Sequence, residues 1–459
     1  ALLVFYAVLT FIAYFFRGEE WRWEWQGDQL ETMYNMHPLS DSPFSAELPA
    51  ELGSYKRTES CMICHEGMTG FSDAHSPEAI GCVSCHMGNP FSPDKGQAHR
   101  GMLMVPGNLE NASRSCGTAQ CHPDISQRIG TGLMATNSGI VAVDRFVFDE
   151  AASPDGFYHI MEIGHTPADQ HMRNLCSRCH LGNTKHHPAP VDEESRGGGC
   201  NACHLNYTSE ARRQVNEFYG QLMPDSSLWT AHPSLDLEIS NTHCFGCHSR
   251  SGRISTSYEG WHETLLKAED VHPHDSLRIL ADGRVFRYVS PDVHHQAGMD
   301  CIDCHDSYEL MGDGTLYMHK EEQVMIRCED CHFHSQPRAL FASSLDRETQ
   351  LIMQMRERMS DTIAFLPLGN TGRAIWNSHL SGQGEAVIFG KRSGNAHPLK
   401  GPAEICSRGN AHDALSCESC HTQWVPQCIG CHNEYDPRVP AYDMIEQREE
   451  TVRWVELVG

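Results

Sequence analysis

Positive charge is in short supply in this chain. Lysine and arginine number 35 against 60 aspartates and glutamates, a formal charge of −25 over 459 residues. So acidic a surface repels nucleic-acid phosphates and anionic lipid headgroups, which sets aside functions that depend on them. Large apolar side chains are few as well: 8% of residues are aromatic and 40% hydrophobic, while glycine and proline contribute 38 and 23. That composition argues against a large sheet-based core and favours turns and short helices. No phosphate-binding glycine loop, Ser/His/Asp arrangement or zinc-protease motif is present.

What the chain has instead is cysteine and histidine, 21 and 30 residues. Twenty of the cysteines fall into ten pairs, and the second member of each pair is followed directly by histidine. The first five are Cys61/Cys64/His65, Cys82/Cys85/His86, Cys116/Cys121/His122, Cys176/Cys179/His180 and Cys200/Cys203/His204. The second five are Cys244/Cys247/His248, Cys301/Cys304/His305, Cys328/Cys331/His332, Cys417/Cys420/His421 and Cys428/Cys431/His432. A c-type haem needs this arrangement: two thioether bonds hold the porphyrin, and the next residue, histidine, ligates the iron. Zinc ribbons and disulfides also use cysteine pairs, but neither has a reason to place histidine after every one. At this histidine frequency, ten such coincidences have a chance probability of roughly 10⁻¹². The expected cofactors are therefore ten haem c groups, each with its iron.

Nine pairs are separated by two residues. The third, Cys116-Gly-Thr-Ala-Gln-Cys121-His122, has four. It resembles the four-residue attachment sites of the cytochrome c3 group and is read as a haem site like the rest.

Ten haems leave about 46 residues for each. The porphyrins then supply much of the buried apolar surface. The fold expected is mainly α with extensive irregular loops and little β, a haem-cored multihaem cytochrome.

Covalent haem c is assembled outside the cytoplasm, so the haem-bearing part is expected on the periplasmic or cell-surface side. Residues 1–16 (ALLVFYAVLTFIAYFF) carry no charge, and Arg17 ends the run. At 1.5 Å per residue they cover roughly 24 Å of a hydrocarbon core about 30 Å thick. Because the chain begins with alanine, further residues are expected before it, completing a transmembrane anchor. Trp21, Trp23 and Trp25 follow where an interfacial aromatic belt would lie. A cleaved signal peptide is the rival reading, but no small-x-small cleavage pattern lies between Phe16 and Trp25.

The organisation read from the chain is an anchor at 1–16, a linker or interface segment at 17–55, a decahaem domain at 56–435 and a C-terminal segment at 436–459. Attachment histidines cluster as His65/His86, His180/His204, His305/His332 and His421/His432, with His122 and His248 alone between pairs. This suggests repeated units of two haems plus one. Between His332 and His421, apolar spacing over Arg338–Phe365 predicts a long amphipathic helix, and a second is expected at Ser209–Gln221. Ser381–Gly401 reads as a glycine-rich loop over a haem edge. Thr451–Gly459 reads as a strand or helix cut short. Cys406, the leftover thiol, is expected to be buried and inert.

Twenty further histidines are available for the opposite faces of ten irons. Those taken as second ligands are His75, His99, His165, His171, His186, His232, His262, His294, His319 and His412. His187, His272, His274, His295, His334, His379 and His397 form a reserve. Two histidines close an iron to substrate, which suits electron transfer. An enzyme acting on a small nitrogen or sulfur compound would need one open iron. No attachment histidine is replaced by lysine, the mark of multihaem nitrite and tetrathionate reductases. A haem-linked tyrosine such as Tyr207, Tyr219 or Tyr258, in the manner of the hydroxylamine oxidoreductase group, keeps that alternative open.

Over residues 61–432 the chain resembles the large multihaem cytochromes of anaerobically respiring bacteria and archaea. The resemblance implies electron transfer between a quinol-oxidising membrane module or periplasmic cytochrome and a periplasmic or extracellular acceptor. A subunit of a cytochrome filament or membrane complex is a third possibility, and no nucleic-acid partner is expected.

Overall fold

Most of the described cysteine-pair motifs fold as compact turns. In a computed structural model of the protein, Cys61–Cys64, Val83–His86, Asn201–His204, Cys301–Cys304 and Cys328–Cys331 are one-turn helices, and Asn241–His248 is two turns. The closing bond runs from the histidine N–H to the carbonyl of the first cysteine, at 2.8 Å for His65, 2.9 Å for His86 and 2.8 Å for His332. A turn of this pitch puts residues i and i+3 on one face, so the paired cysteines project together. The structure describes residues 59–188, 191–220, 229–250, 252–272, 276–356, 362–369, 371–407, 415–421, 432–451 and 453–457. The expected anchor at 1–16 and linker at 17–55 lie outside them. Among the described residues no helix is long and apolar enough to cross a membrane.

The chain divides into two compact units. The first comprises Ala1–Ser126, Thr184–Pro190 and Gly198–Asp236, and the second Gln127–Asn183, Val191–Gly197 and Leu237–Gly459. Four motifs, those of His65, His86, His122 and His204, belong to the first unit. The other six belong to the second.

In the first unit the elements are short. Its longest described helix, Ser209–Tyr219, starts where Thr208 accepts a hydrogen bond from the Ala211 N–H. This is the helix expected at 209–221, with Gln221 outside the described residues. One two-stranded sheet pairs Leu205 with Leu235.

The second unit overturns the expectation of a mainly α chain with little β. The described residues contain 15 strands in six small antiparallel sheets, and five of those sheets fall in this unit. Three strands, Leu340–Phe341, Ala364–Leu368 and Arg373–Ile375, form one sheet; Ser378–Leu380, Ala386–Phe389 and Ala396–Pro398 form another. Their inward residues Leu366, Leu368, Ile375, Leu380 and Ile388 make an apolar cluster with Met299. A second cluster gathers Leu340, Leu345, Met353, Phe365 and Trp376. The physical reason is that the longest motif-free stretch carries enough apolar side chains at strand spacing to bury a core of its own.

The same sheets correct two local expectations. The helix foreseen over Arg338–Phe365 shrinks to Arg347–Met355, capped by Asp346, whose carboxylate accepts from the Thr349 N–H. Leu340 and Phe341 pair instead with Phe365 and Ala364, so both ends of the apolar run become strand. The 381–401 stretch contains two strands rather than a continuous loop. Arg453–Leu457 is a strand paired with His432–Asp436.

Candidate functional site

The motif with the longer spacer closes the same turn as the others. The His122 N–H reaches the Cys116 carbonyl at 2.9 Å across six residues. Gly117 permits this, since a Cβ there would lie 2.2 Å from Ser126 Oγ and 2.8 Å from the Ala112 carbonyl oxygen.

Carboxylates fix several of these turns. Glu59 accepts from the N–H groups of Cys82 and Val83 at 2.7 and 3.2 Å. Within the His305 and His332 motifs, Asp303 and Asp330 turn back to accept from the N–H of Asp300 and Arg327. They also reach outward: Asp303 accepts from the Lys391 N–H at 2.6 Å and Asp330 from the Gly369 N–H at 2.9 Å. Two motifs are thereby tied to the sheet core.

Motifs meet one another through their cysteines. In the first unit, Cys61 and Cys82 share a thiol hydrogen bond, as do Cys116 and Cys200. In the second unit, Cys179 contacts Cys247, Cys244 contacts Cys301, and Cys328 contacts Cys417. Cys304 and Cys331 pack on the same apolar cluster. The His248 motif therefore lies between those of His180 and His305.

Two expected attachment cysteines, Cys85 and Cys420, depart from the simple picture of equivalent paired sulfurs. Each is the second cysteine of its turn, and in both motifs the contact with a neighbouring motif runs through the first, Cys82 or Cys417. Cys85 is half-buried within the helix Val83–His86, its N–H on the Cys82 carbonyl at 3.2 Å. Cys420 is exposed, and its turn is a single 3₁₀ turn, Cys417–Ser419, that ends one residue before it. A 3₁₀ turn has three residues rather than 3.6, so residues i and i+3 eclipse more closely than in the other motifs. The Cys420 and His421 N–H groups still return to the Cys417 carbonyl, at 3.1 and 3.0 Å, so the backbone loop closes as elsewhere. Cys64 and Cys121 are likewise exposed second cysteines, whereas Cys176 and Cys203 are half-buried.

Free cysteine is among the most buried of residue types. None of the described motif cysteines is buried: all are partly or fully exposed. A thiolate metal site fits less well, because no described group of three or more metal-binding side chains contains a cysteine.

Four attachment histidines face a second histidine. Ring centroids are 6.3 Å apart for His65 and His99, 6.5 Å for His75 and His122, 5.8 Å for His86 and His232, and 6.0 Å for His294 and His332. A metal–imidazole bond of about 2.0–2.1 Å plus a ring radius of roughly 1.1 Å places two rings on opposite sides of one ion about 6.3 Å apart. The residues present thus fit an iron held between two imidazoles.

Several of these rings have Nδ1 committed in the way a ligand requires, whereas His65 Nδ1 is buried without a partner. His86 Nδ1 is 2.7 Å from the Leu103 carbonyl, His204 Nδ1 3.1 Å from that of Asp236, and His332 Nδ1 2.8 Å from that of Lys400. His232 Nδ1 lies 2.5 Å from the Pro233 carbonyl. A hydrogen bond donated from Nδ1 orients the ring and makes Nε2 the nitrogen that would ligate. Burial holds His232 down to about 4, and burial with the neighbouring His159 does the same for His180. Both are therefore neutral at physiological pH, the ligating form. His180 is 2% exposed with both ring nitrogens lacking a hydrogen-bond partner, as expected of a ligand without its metal.

Other expected second ligands are not brought to a motif histidine. His171 spends both nitrogens, on Asp144 at 3.1 Å and on Asn433 at 2.7 Å. His319 caps the helix Lys320–Gln323 and reaches Asp155 at 3.1 Å. His165 is exposed beside Glu446, His186 is exposed, and His262 sits in the strand Trp261–Glu263. His412, Cys428 and Cys431 lie outside the described residues; His432 opens the strand His432–Asp436. Of the tyrosines, Tyr258 donates to the Met299 carbonyl at 2.7 Å, Tyr219 packs on His187, and the buried Tyr207 hydroxyl has no partner. Cys406 is exposed rather than buried, because it lies in the surface turn Glu404–Ser407.

Two carboxylates of consequence went unread in the sequence. Glu309 Oε2 lies 2.7 Å from His305 Nδ1, and Asp292 Oδ1 lies 2.8 Å from His294 Nδ1. Glu309 could have been found: it stands four residues after His305, where the helix Ser307–Met311 brings it back over the motif. Compared with known proteins, the chain matches no family model, no curated protein and no solved structure.

Proposed function

We propose that this protein is a multihaem c-type cytochrome that carries electrons along ten covalently attached haems. The observation that carries the reading is the set of four imidazole pairs, each containing one attachment histidine, at the spacing of two ligands across one metal ion. Bound haem iron supplies one-electron exchange between ferric and ferrous states. The chain's own residues do the rest. Cysteine pairs on one face of a turn anchor each group, two histidines close the iron to substrate at each of the four imidazole pairs, and cysteine contacts between motifs hold neighbouring groups close enough for transfer.

The attachment chemistry supports an extracytoplasmic location, with residues 1–16 as the membrane anchor. The donor is then a quinol-oxidising membrane module or periplasmic cytochrome, and the acceptor periplasmic or extracellular. An acidic surface suits basic redox partners, with rates that fall as salt rises.

Mass spectrometry of the mature protein is expected to show ten covalent haems. Electron paramagnetic resonance of the oxidised form is expected to be low-spin throughout. An unmodified mass, or a substantial high-spin ferric signal at neutral pH, overturns the reading.

A further inference from the structure

We propose that Glu309 and Asp292 make the haems held by His305 and by His294/His332 a neighbouring pair of low reduction potential. The inference rests on the haem reading above and deepens it, because it assigns an energetic step to named residues.

The argument begins with what each ligand's far nitrogen meets. In the first unit, His86, His204 and His232 all donate to backbone carbonyls, which are neutral. In the second unit, His305 and His294 instead face carboxylates at 2.7 and 2.8 Å. A carboxylate draws the Nδ1 proton toward itself and makes the imidazole a stronger donor at Nε2. A stronger donor stabilises the ferric state over the ferrous, so the potential falls.

Both acids are built in rather than incidental. Glu309 is 5% exposed, and its other oxygen accepts from the N–H groups of Met325 and Ile326. Asp292 is 6% exposed and also accepts from the His294 N–H at 2.9 Å. Opposing charge is present but does not cancel them. Lys391 Nζ donates to the His305 carbonyl at 3.0 Å and Arg373 lies 3.8 Å from Asp306, two cations against Asp303, Asp306 and Glu309. No described cation is paired with Asp292 other than His294 itself.

Adjacency comes from the cysteines. Cys304 of the His305 motif and Cys331 of the His332 motif pack against the same apolar cluster, and each motif is pinned to that sheet core by its own aspartate. The two carboxylate-backed irons are therefore neighbours in one unit.

The test is a spectroelectrochemical titration of the mature protein and of Glu309→Gln and Asp292→Asn variants, after mass spectrometry has counted the haems. Glutamine still accepts from Met325 and Ile326, and asparagine still caps His294, but neither carries the charge. Each variant is expected to raise one haem at the low-potential end by about tenfold in its reduction equilibrium, about 59 mV for one electron. The double variant should raise two, and Glu309→Asp, which keeps the charge, should stay near the parent. If a variant with all ten haems gives a titration curve superimposable on the parent's, or moves a high-potential component, the proposal is overturned while the haem reading stands. A parent protein without haem overturns the reading itself. Should Glu309→Gln not mature, the Asp292→Asn arm decides alone.

Discussion

The two units hold their shape by different means. The second unit contains the four apolar clusters of the described residues, around Leu366, Phe365, Ile160 and Phe286, and nearly all of the sheet. The first unit has four attachment motifs, one two-stranded sheet and, among the described residues, no such cluster. Its buried apolar residues, such as Val105, Ala112 and Val215, are scattered. The contrast shows that composition alone misleads: a chain poor in aromatic residues can still concentrate its apolar side chains in one part and leave them scattered in the other.

Withholding haem is the severest way to break the comparison. With the cysteine pairs replaced by alanine, amide exchange over residues 59–126 is expected to accelerate by roughly 10³-fold, a loss of about 4 kcal/mol of local stability, while residues 364–388 keep most of their protection. Equal loss in both regions, followed by mass spectrometry, would refute the distinction.

A smaller effect is expected from the buried ion pair of the second unit. Arg173 Nη1 lies 2.7 Å from Asp443, and the two are 5% and 0% exposed. Asp443→Asn is expected to cost about 3 kcal/mol in denaturant unfolding, because it leaves a buried guanidinium with only the more distant, partly exposed Glu446 carboxylate as counter-charge. Burial raises the Asp443 carboxyl, but hydrogen bonds from Glu446 N–H and Arg173 outweigh it and hold the group below its ordinary 3.8. A depressed folded value means stability that is complete above 3.8 and is lost as pH falls through the lower folded value. The gap between parent and variant should therefore be constant above about pH 5 and shrink below 3.8.

The mildest test addresses the first unit alone. Thr208→Ala removes the cap of Ser209–Tyr219 and is expected to cost about 1 kcal/mol, seen as faster exchange in that helix. A change at residues 364–388 instead would show that the units do not respond separately.

The compact turns of the cysteine-pair motifs were legible because their pattern is local: two thiols and an imidazole within one turn. Their partners were not, and nor was the difference in setting between Cys85, held in a helix, and Cys420, left on the surface past a 3₁₀ turn. His99 stands nearer in sequence to His86 than to His65, yet it faces His65, while His86 meets His232 from 146 residues away. His171, five residues before Cys176, looked well placed, but its nitrogens serve Asp144 and Asn433. Between Arg338 and Phe365 a spacing of three and four fitted a helix. Pairing of Leu340 with Phe365 overrode that pattern, since burying both strand ends against Trp376 gains more than extending the helix into solvent. Glu309 was readable at four residues from His305; Asp292 was not, because it acts through a histidine whose role was itself unassigned.

The contacts between Cys61 and Cys82, and between Cys116 and Cys200, bear on the order of events in the life of the chain. In an oxidising compartment, thiols so close join readily as disulfides. On the haem reading, each such bond would consume sulfurs that attachment needs. The fold that brings the motifs together would then trap an unloaded chain, and attachment would have to come first, while the polypeptide is still open.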